Sequence, residues 1–457
     1  MNQSTDVEGG GDSRRPEGVR IGGVWQLAWP SMTSFALQSL VGLVDMIFVA
    51  RLGTEAVAGV GVGSQVHFVV FALIAAVSTG TVALIARATG AGDGEQADRV
   101  LRASLWMATL LGASLCLLAP FAHTIVAVFG VTPPVVEIGG SYLRILLWAS
   151  IPFAIAITLS SAMRGAGDVR TPLMVGIAMN ALNVAGDYAL IFGHWGAPAL
   201  GTEGSAVASV LALLLGALVY LGLWLGGGSI FVRRGWVMGI SGDLYRRILH
   251  IGIPTALEHL AFNLGLFLFL RLVVQYGTEA VSAYIIGVRI LAFSFIPGLG
   301  FATAASTLVG QHLGAGRPDL AAHSGWRATG GAVAVMGVIG LLIILNAGPI
   351  AGWFGAAGAD TTNLAVNFIY ILGAAQPMMA VEYAVGGALR GAGDTRFPLL
   401  AMMMGLFVFR LGGAFWVLHV YEGSVVALWS CLLADYAVKA LLLSLRFHRG
   451  RWKKVRL

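Results

Sequence analysis

Five acidic residues lie inside long apolar stretches of this 457-residue chain: Asp45, Asp187, Glu258, Glu382 and Asp435. Carboxylates bind cations and protons, and they do so most strongly where water is excluded. At the centre of a bilayer a charged side chain costs at least about 2.5–3.5 kcal/mol. If these stretches cross a membrane, each of the five acids is therefore a candidate for ion or substrate binding.

Asp45 and Asp187 occupy matching positions relative to a proline. Asp45 follows Pro30 by fifteen residues, and Asp187 follows Pro172 by fifteen. If the two segments are helices that cross the membrane in the same direction, a rise of about 1.5 Å per residue places both carboxyls about 22 Å beyond their prolines. The two acids are therefore predicted to lie at the same depth.

Polar side chains on neighbouring turns extend this pair. Asn183 precedes Asp187 by four residues and Asn180 by seven, so all three share one face of a helix. Ser209, in a later segment, adds a hydroxyl. Oxygen ligands of this kind suit a sodium ion, whereas two adjacent carboxylates can also hold a proton. The predicted cation- or proton-binding site consists of Asp45, Asn180, Asn183, Asp187 and Ser209; no metal is expected other than a sodium ion at Asp45, Asn183 and Asp187.

The composition indicates a membrane protein. Apolar residues make up 57% of the chain and charged residues only 11%, whereas a soluble protein carries about 25% charged residues. The net charge of +6 comes from basic residues in short gaps between apolar runs, which reflects membrane topology rather than nucleic-acid binding. Cys116 and Cys431 both lie in apolar runs and are interpreted as small core residues, not as a disulfide.

Twelve apolar runs are long enough to cross a bilayer, which takes about 20 residues. Most basic residues fall in gaps on the side where the first run begins, and Arg51 is the only one in a loop on the other side. Because cytoplasmic loops are enriched in Arg and Lys, both termini are predicted to be cytoplasmic. The predicted spans are 25–50, 56–86, 103–129, 138–163, 171–193, 203–227, 248–275, 280–311, 328–354, 363–389, 398–420 and 425–445.

The two halves of the chain repeat each other. GTEAV occurs at 53–57 and at 277–281, and MRGAGDVRTPL at 163–173 corresponds to LRGAGDTRFPL at 389–399. Each half contains six runs, an even number, so both copies enter the membrane in the same direction. The predicted fold is an all-α polytopic membrane protein in which two six-helix bundles are related by a pseudo-two-fold axis along the membrane normal. The predicted segments are a disordered cytoplasmic tail (1–20), a first lobe (21–227), a cytoplasmic linker (228–247), a second lobe (248–445) and a basic cytoplasmic tail (446–457).

These features resemble the multidrug and toxic compound extrusion (MATE) family. The resemblance rests on the two six-span halves, on a proline and an aspartate in the first span followed by GTEAVAG, and on the repeated RGAGD-x-R-x-P loop; it extends from about Trp25 to Leu445. Family members are exporters coupled to protons or sodium, and many of them accept varied organic cations. Members with an ion site in the first lobe use residues that Asp45, Asn183, Asp187 and Ser209 match.

The second half lacks this acidic pair, because Phe269 and Gly413 stand fifteen residues after its equivalent prolines. Glu258 and Glu382 are candidates for binding substrate. Arg410 lies in the eleventh span and Asp435 in the twelfth, where they are interpreted as a structural ion pair. Lys439 is expected to extend to the cytoplasmic interface.

The resemblance implies an antiporter that exports small organic compounds, cationic or amphipathic, by alternating access. The alternative is a flippase for lipid-linked sugars or another lipid, which would bring more basic residues into its cavity. An enzyme is not expected, because the nine histidines are scattered and show no metal-ligand spacing. We expect a monomer of the prokaryotic inner membrane that interacts with substrates, the coupling ion and lipid, without cofactor or nucleic acid.

Overall fold

The computed structural model describes residues 23–226, 242–353 and 358–455. Eleven helices in these ranges are long and apolar enough to span a membrane, and a bent pair makes a twelfth. Helices are required here because the bilayer offers no partners for backbone polar groups. Spans 1–6, the N-lobe, are Val24–Ala50, Thr54–Gly90, Gly94–Ala127, the bent pair Pro133–Trp148 and Ser150–Ala166, Arg170–Phe192 and Thr202–Leu225. Spans 7–12, the C-lobe, are Gly242–Tyr276, Thr278–Gly314, Pro318–Leu345, Ala359–Gly391, Arg396–His419 and Val425–His448. The predicted all-α fold of twelve spans is confirmed.

The segments outside the spans differ in part from the expectation. The predicted tail 1–20 and residues 228–241 of the linker lie outside the described residues. Residues 242–247 of the linker belong to the helix of span 7, which begins earlier than predicted. The basic tail continues the last helix to His448 and then forms a short 3-10 turn, Arg451–Lys454.

Five spans depart from regular α-helix among the described residues: spans 3 and 7 contain 3-10 turns, span 8 breaks at Phe295, and spans 4 and 11 are irregular in other ways. Span 4 bends by 57° between its two helices. Cys116 of span 3 lies at this break, where its thiol donates to the carbonyl oxygens of Leu147 and Trp148 at 3.2 and 3.6 Å. The cysteine therefore satisfies backbone groups that the bend leaves without helical partners. Span 11 contains a π-helical stretch, Met404–Gly412.

Glycine contacts between the lobes show the pseudo-two-fold relation directly. Gly90 packs so closely on Gln311 that a Cβ would clash with its carbonyl, and Gly314 packs in the same way on Arg87. Both equivalent pairs, Gly90 with Gly314 and Arg87 with Gln311, are 224 residues apart, as in the GTEAV repeat. Each contact is therefore the symmetry mate of the other.

A second pair of symmetry-related contacts between the lobes lies deeper in the membrane. Gly252 of span 7 packs on the backbone of Ala76 in span 2, and Gly300 of span 8 packs on Ala28 in span 1. The beginning of each lobe's first span thus contacts the other lobe. All four contacts lie in the half of the molecule where span 1 begins, which we call the N-terminal side of the membrane.

The lobes separate towards the opposite side. Span 8 breaks at Phe295, and outward of this break Phe293 and Arg289 are both exposed. On span 2, the face that contacts the C-lobe at Ala76 continues to the exposed Gln65. Spans 2 and 8 are therefore packed against the opposite lobe on the N-terminal side and open on the other, which forms a V-shaped cleft between the lobes.

Candidate functional site

The predicted acidic pair comes together where spans 1 and 5 meet inside the N-lobe. Asp187 is fully buried, with 0% exposure. Its carboxyl lies beside the carboxyl of Asp45 and the hydroxyl of Ser205. Both carboxyl oxygens of Asp187 nevertheless lack a well-formed hydrogen bond within the described part of the chain. The two acids are at equal depth, as the proline spacing predicts.

Small residues bring span 6 against this pair. A Cβ on Gly186, next to Asp187, would lie 2.9 Å from the Cβ of Ala208. A Cβ on Gly204 would lie 2.5 Å from the carbonyl oxygen of Leu190. The backbones of spans 5 and 6 therefore approach closely on both sides of the acids, which places the serine-bearing face of span 6 at the site.

Asn183 connects the acids to span 6. With its amide nitrogen facing the carboxylate, Asn183 donates to Asp45 Oδ1 at 3.1 Å, and its oxygen accepts from Ser209 Oγ at 3.2 Å. Asn180 is half-buried and forms no hydrogen bond to this cluster among the described residues. The structure thus joins four of the five predicted residues and leaves Asn180 apart.

Two further residues, Ser205 and Tyr142, lie at or beside this site, and the sequence interpretation missed them. Ser205 precedes Ser209 by four residues, so helical spacing alone places both hydroxyls on one face. Tyr142 of span 4 lies close enough to interact with both acids, and its hydroxyl is near Ser64. We found no sequence signal for Tyr142, because its approach depends on how span 4 packs against span 2. Asp45, Asn183, Asp187, Ser205 and Ser209 are called the N-lobe cluster below.

A network of charges lies inside the C-lobe. Arg410 Nη2 is 2.5 Å from Asp435 Oδ2, and both side chains are buried. Lys439 binds the other oxygen of Asp435 at 3.3 Å and Glu382 at 2.9 Å. The prediction that Lys439 extends to the interface is wrong, since its side chain is only 2% exposed. Two buried carboxylates hold it in the lobe interior, at a cost in desolvation that their charges offset.

Glu258 is also paired, with an arginine from the repeated loop. Arg390 Nη2 lies 2.6 Å from Glu258 Oε1. Glu258 and Glu382, the two candidates for substrate binding, therefore each contact a cationic side chain. Neither lies in the N-lobe cluster. In the first copy of the RGAGD motif, whose second copy contains Arg390, Asp168 accepts hydrogen bonds from the backbone N–H groups of Arg170 and Thr171.

The C-lobe counterparts of the acidic pair have no cation-binding groups. Phe269 is fully buried, and its ring lies 5.8 Å from that of Tyr284. Gly413 packs near Cys431. Among the described residues, no three His, Cys, Asp or Glu side chains group together as metal ligands. With two carboxylates, an amide and two hydroxyls, the N-lobe cluster has groups that can hold a proton or a monovalent cation.

Comparisons with known proteins agree with this architecture. The MatE family profile matches residues 30–189 and 254–416. The chain is 30% identical over 433 residues to the probable multidrug resistance protein NorM of Thermotoga maritima, a match that covers 94% of this chain and 92% of that protein. It is 29% identical over 431 residues to the multidrug resistance protein NorM of Burkholderia vietnamiensis, covering 93% and 92%.

Solved transporter structures share the fold. An outward-facing multidrug resistance MATE family transporter of the MOP superfamily matches with a TM-score of 0.88 at 23% identity, covering 95% of this chain and 99% of that one. A MOP superfamily transporter from Pyrococcus furiosus matches with a TM-score of 0.89 at 22% identity, covering 96% and 99%. The resemblance noted in the sequence is confirmed, because the family profile covers both halves and the relatives span nearly the whole chain: this protein belongs to the MATE family of multidrug efflux transporters.

Proposed function

We propose that this protein is an antiporter of the prokaryotic inner membrane that exports small organic compounds in exchange for protons or sodium. Both termini are then cytoplasmic, and the cleft opens to the outside. The observation that carries the proposal is the fully buried Asp187 beside Asp45, with carboxyl oxygens that lack well-formed hydrogen bonds. Two adjacent carboxylates in an apolar lobe cannot both remain charged without a counter-ion. A proton or a sodium ion is the species that satisfies them.

The N-lobe cluster has donors and acceptors for either ion. Asn183 and the two serines supply oxygens within reach of a sodium ion beside the carboxylates. A shared proton would instead join the two carboxyls, while Asn183 donates to Asp45. Sodium binding and proton binding would both neutralise the Asp45–Asp187 pair. An imposed pH gradient and an imposed sodium gradient distinguish the two.

Span 1 connects the cluster to the contact between the lobes. It carries Asp45 in its second half, and in its first half Ala28 packs against Gly300 of the C-lobe. Pro30 lies between these two points and interrupts the helical hydrogen bonds. Occupation of the cluster can therefore change how span 1 rests on the C-lobe, which is what coupled alternating access requires.

Proteoliposomes under an imposed pH gradient, and then an imposed sodium gradient, test the proposal. We expect Asp45→Asn and Asp187→Asn each to reduce gradient-driven dye efflux to the level of empty vesicles. The double variant should be no worse than either, because both acids act at one site. Glu55→Gln, an exposed acid at the start of span 2, is the matched control and should retain efflux. Normal coupling in well-folded Asp187→Asn protein would refute the assignment.

A further inference from the structure

Arg289 is an arginine near the middle of the membrane whose side chain is exposed. It lies in span 8, eleven residues after Thr278, where that span begins. At about 1.5 Å per residue this is about 16 Å from the end of the helix. An arginine at this depth costs at least about 2.5–3.5 kcal/mol in lipid, and such residues usually face a water-filled cavity.

The orientation of Arg289 follows from the packing of the same helix. Gly287, two residues earlier, packs on span 10, and two steps of about 100° turn Arg289 to the opposite face of the helix, away from the C-lobe interior. Beyond a break in the helix, the same span meets the N-lobe at Gly300. Gly300 contacts Ala28 and Met32 of the N-lobe. Arg289 therefore faces the N-lobe across the cleft, where the two lobes have separated.

The repeat gives Arg289 a counterpart on the opposite wall. Gln65 precedes it by 224 residues and is also exposed. Exposed apolar side chains accompany both residues on their own helices, with Val69 at 44% and Phe293 at 45% exposure. The cleft at this depth thus has apolar walls, a neutral amide on one side and a guanidinium on the other.

The charge of Arg289 is not compensated within the described residues. It forms no ion pair there, whereas two acids within the C-lobe spans are already bound: Glu258 to Arg390, and Glu382 to Lys439. A guanidinium at an apolar surface binds carboxylate, sulfonate or phosphate groups in bidentate geometry.

We propose that Arg289 binds an anionic group on the exported compound, so that the substrate is an amphipathic organic anion or zwitterion. This inference rests on the proposed export function and names its substrate class. It departs from the cationic substrates that the family resemblance implies. The apolar body of the substrate packs on the cleft walls near Phe293, and its anionic group pairs with the guanidinium.

Two dyes that differ only in one carboxylate test the proposal: rhodamine B, which is zwitterionic, and its ethyl ester, which is cationic. We expect the purified transporter, in nanodiscs of phosphatidylcholine, to bind rhodamine B about tenfold more tightly than the ester. Arg289→Gln should remove this preference, Arg289→Lys should retain part of it and Arg289→Glu should reverse it. Arg271→Gln, at the outer end of span 7, is the matched control and should leave the preference unchanged.

Equal binding of both dyes to the wild type, or an unchanged preference in Arg289→Gln, would overturn the proposal. Nanodiscs containing phosphatidylglycerol distinguish the source of the anionic group: loss of rhodamine B binding there would identify a lipid headgroup, not a soluble substrate, and would contradict the proposal. Because binding is measured without a gradient, Asp45→Asn should retain the preference. Failure of ion coupling and failure of this inference are thus separate results.

Discussion

Asp435 forms ion pairs with two cationic side chains inside the C-lobe. These ion pairs explain why both cations are buried in the interior of the lobe. Arg410 approaches one carboxylate oxygen and Lys439 the other. Both Arg410 and Lys439 also lie over the ring of Tyr436, at 5.1 and 4.3 Å from its centroid. Removal of the carboxylate would leave two buried cations, and among the described residues Glu382 is the one other acid that either of them contacts.

Substitution of this carboxylate is expected to destabilise the C-lobe strongly. Breaking a buried ion pair by removing one partner costs about 3–5 kcal/mol, since the remaining charge stays desolvated. We expect Asp435→Ala to lower the thermal unfolding midpoint of the purified protein well below that of Asp360→Ala, which removes an exposed acid at the start of span 10. Equal midpoints for the two variants would show that the network contributes little to stability.

At the residue scale, contacts could be predicted from the sequence where they depend on spacing along a helix. The depth match between Asp45 and Asp187 depends only on the rise per residue, and it brings the two carboxyls together. Lys439 was misplaced even though Asp435, one of its partners, lies four residues earlier on the same helix. Its second partner, Glu382, lies on another span, and no local spacing relates those two residues. No sequence pattern pairs Glu258 with Arg390, because Arg390 reaches it from the last turn of another helix, span 10.

At the scale of the helices, glycine determines where the lobes touch. Gly90 and Gly314 meet carbonyl groups of the opposite lobe with no room for a side chain. The hydropathy pattern predicts the spans and the repeat because both depend on composition along the chain. It does not predict the bend of span 4 or the π-helical part of span 11, which depend on contacts such as the one from Cys116 to Leu147.

The pseudo-symmetry makes the two glycine contacts equivalent, so their loss should have equal effects. Spin labels at Ala58 and Ser282, exposed and 224 residues apart, measure the cleft width in a background without Cys116 and Cys431. We expect Gly90→Ala and Gly314→Ala each to weaken the packing on the N-terminal side. The label distance should shift to shorter values as the cleft closes more often.

Gly61→Ala provides the control for this experiment, because a Cβ there meets nothing within 4 Å. It should leave the distance distribution as in the parent protein. If Gly90→Ala and Gly314→Ala also leave it unchanged, the close contacts do not hold the lobes in this arrangement.

At the scale of the whole molecule, the last described residues lie on the side of the membrane where span 1 begins. After span 12, Trp452 is fully buried and its ring stacks on Phe447 at 4.6 Å. The carbonyl of Val455 then accepts a hydrogen bond at 2.9 Å from Arg87 of the N-lobe. The C-terminal segment thus contacts both lobes next to the glycine contacts, on the N-terminal side of the membrane.

The excess of basic residues on this side predicts that it faces the cytoplasm. Single cysteines at Ala91 and Ala315, exposed in the loops after spans 2 and 8, should resist a membrane-impermeant thiol reagent added to intact cells. Cysteines at Thr132 and Gln275, exposed at the opposite ends of the spans, should react. All four should react equally in permeabilised cells. Labelling of Ala91→Cys and Ala315→Cys from outside would show that the protein has the opposite orientation in the membrane. The cleft would then open to the cytoplasm and not to the exterior.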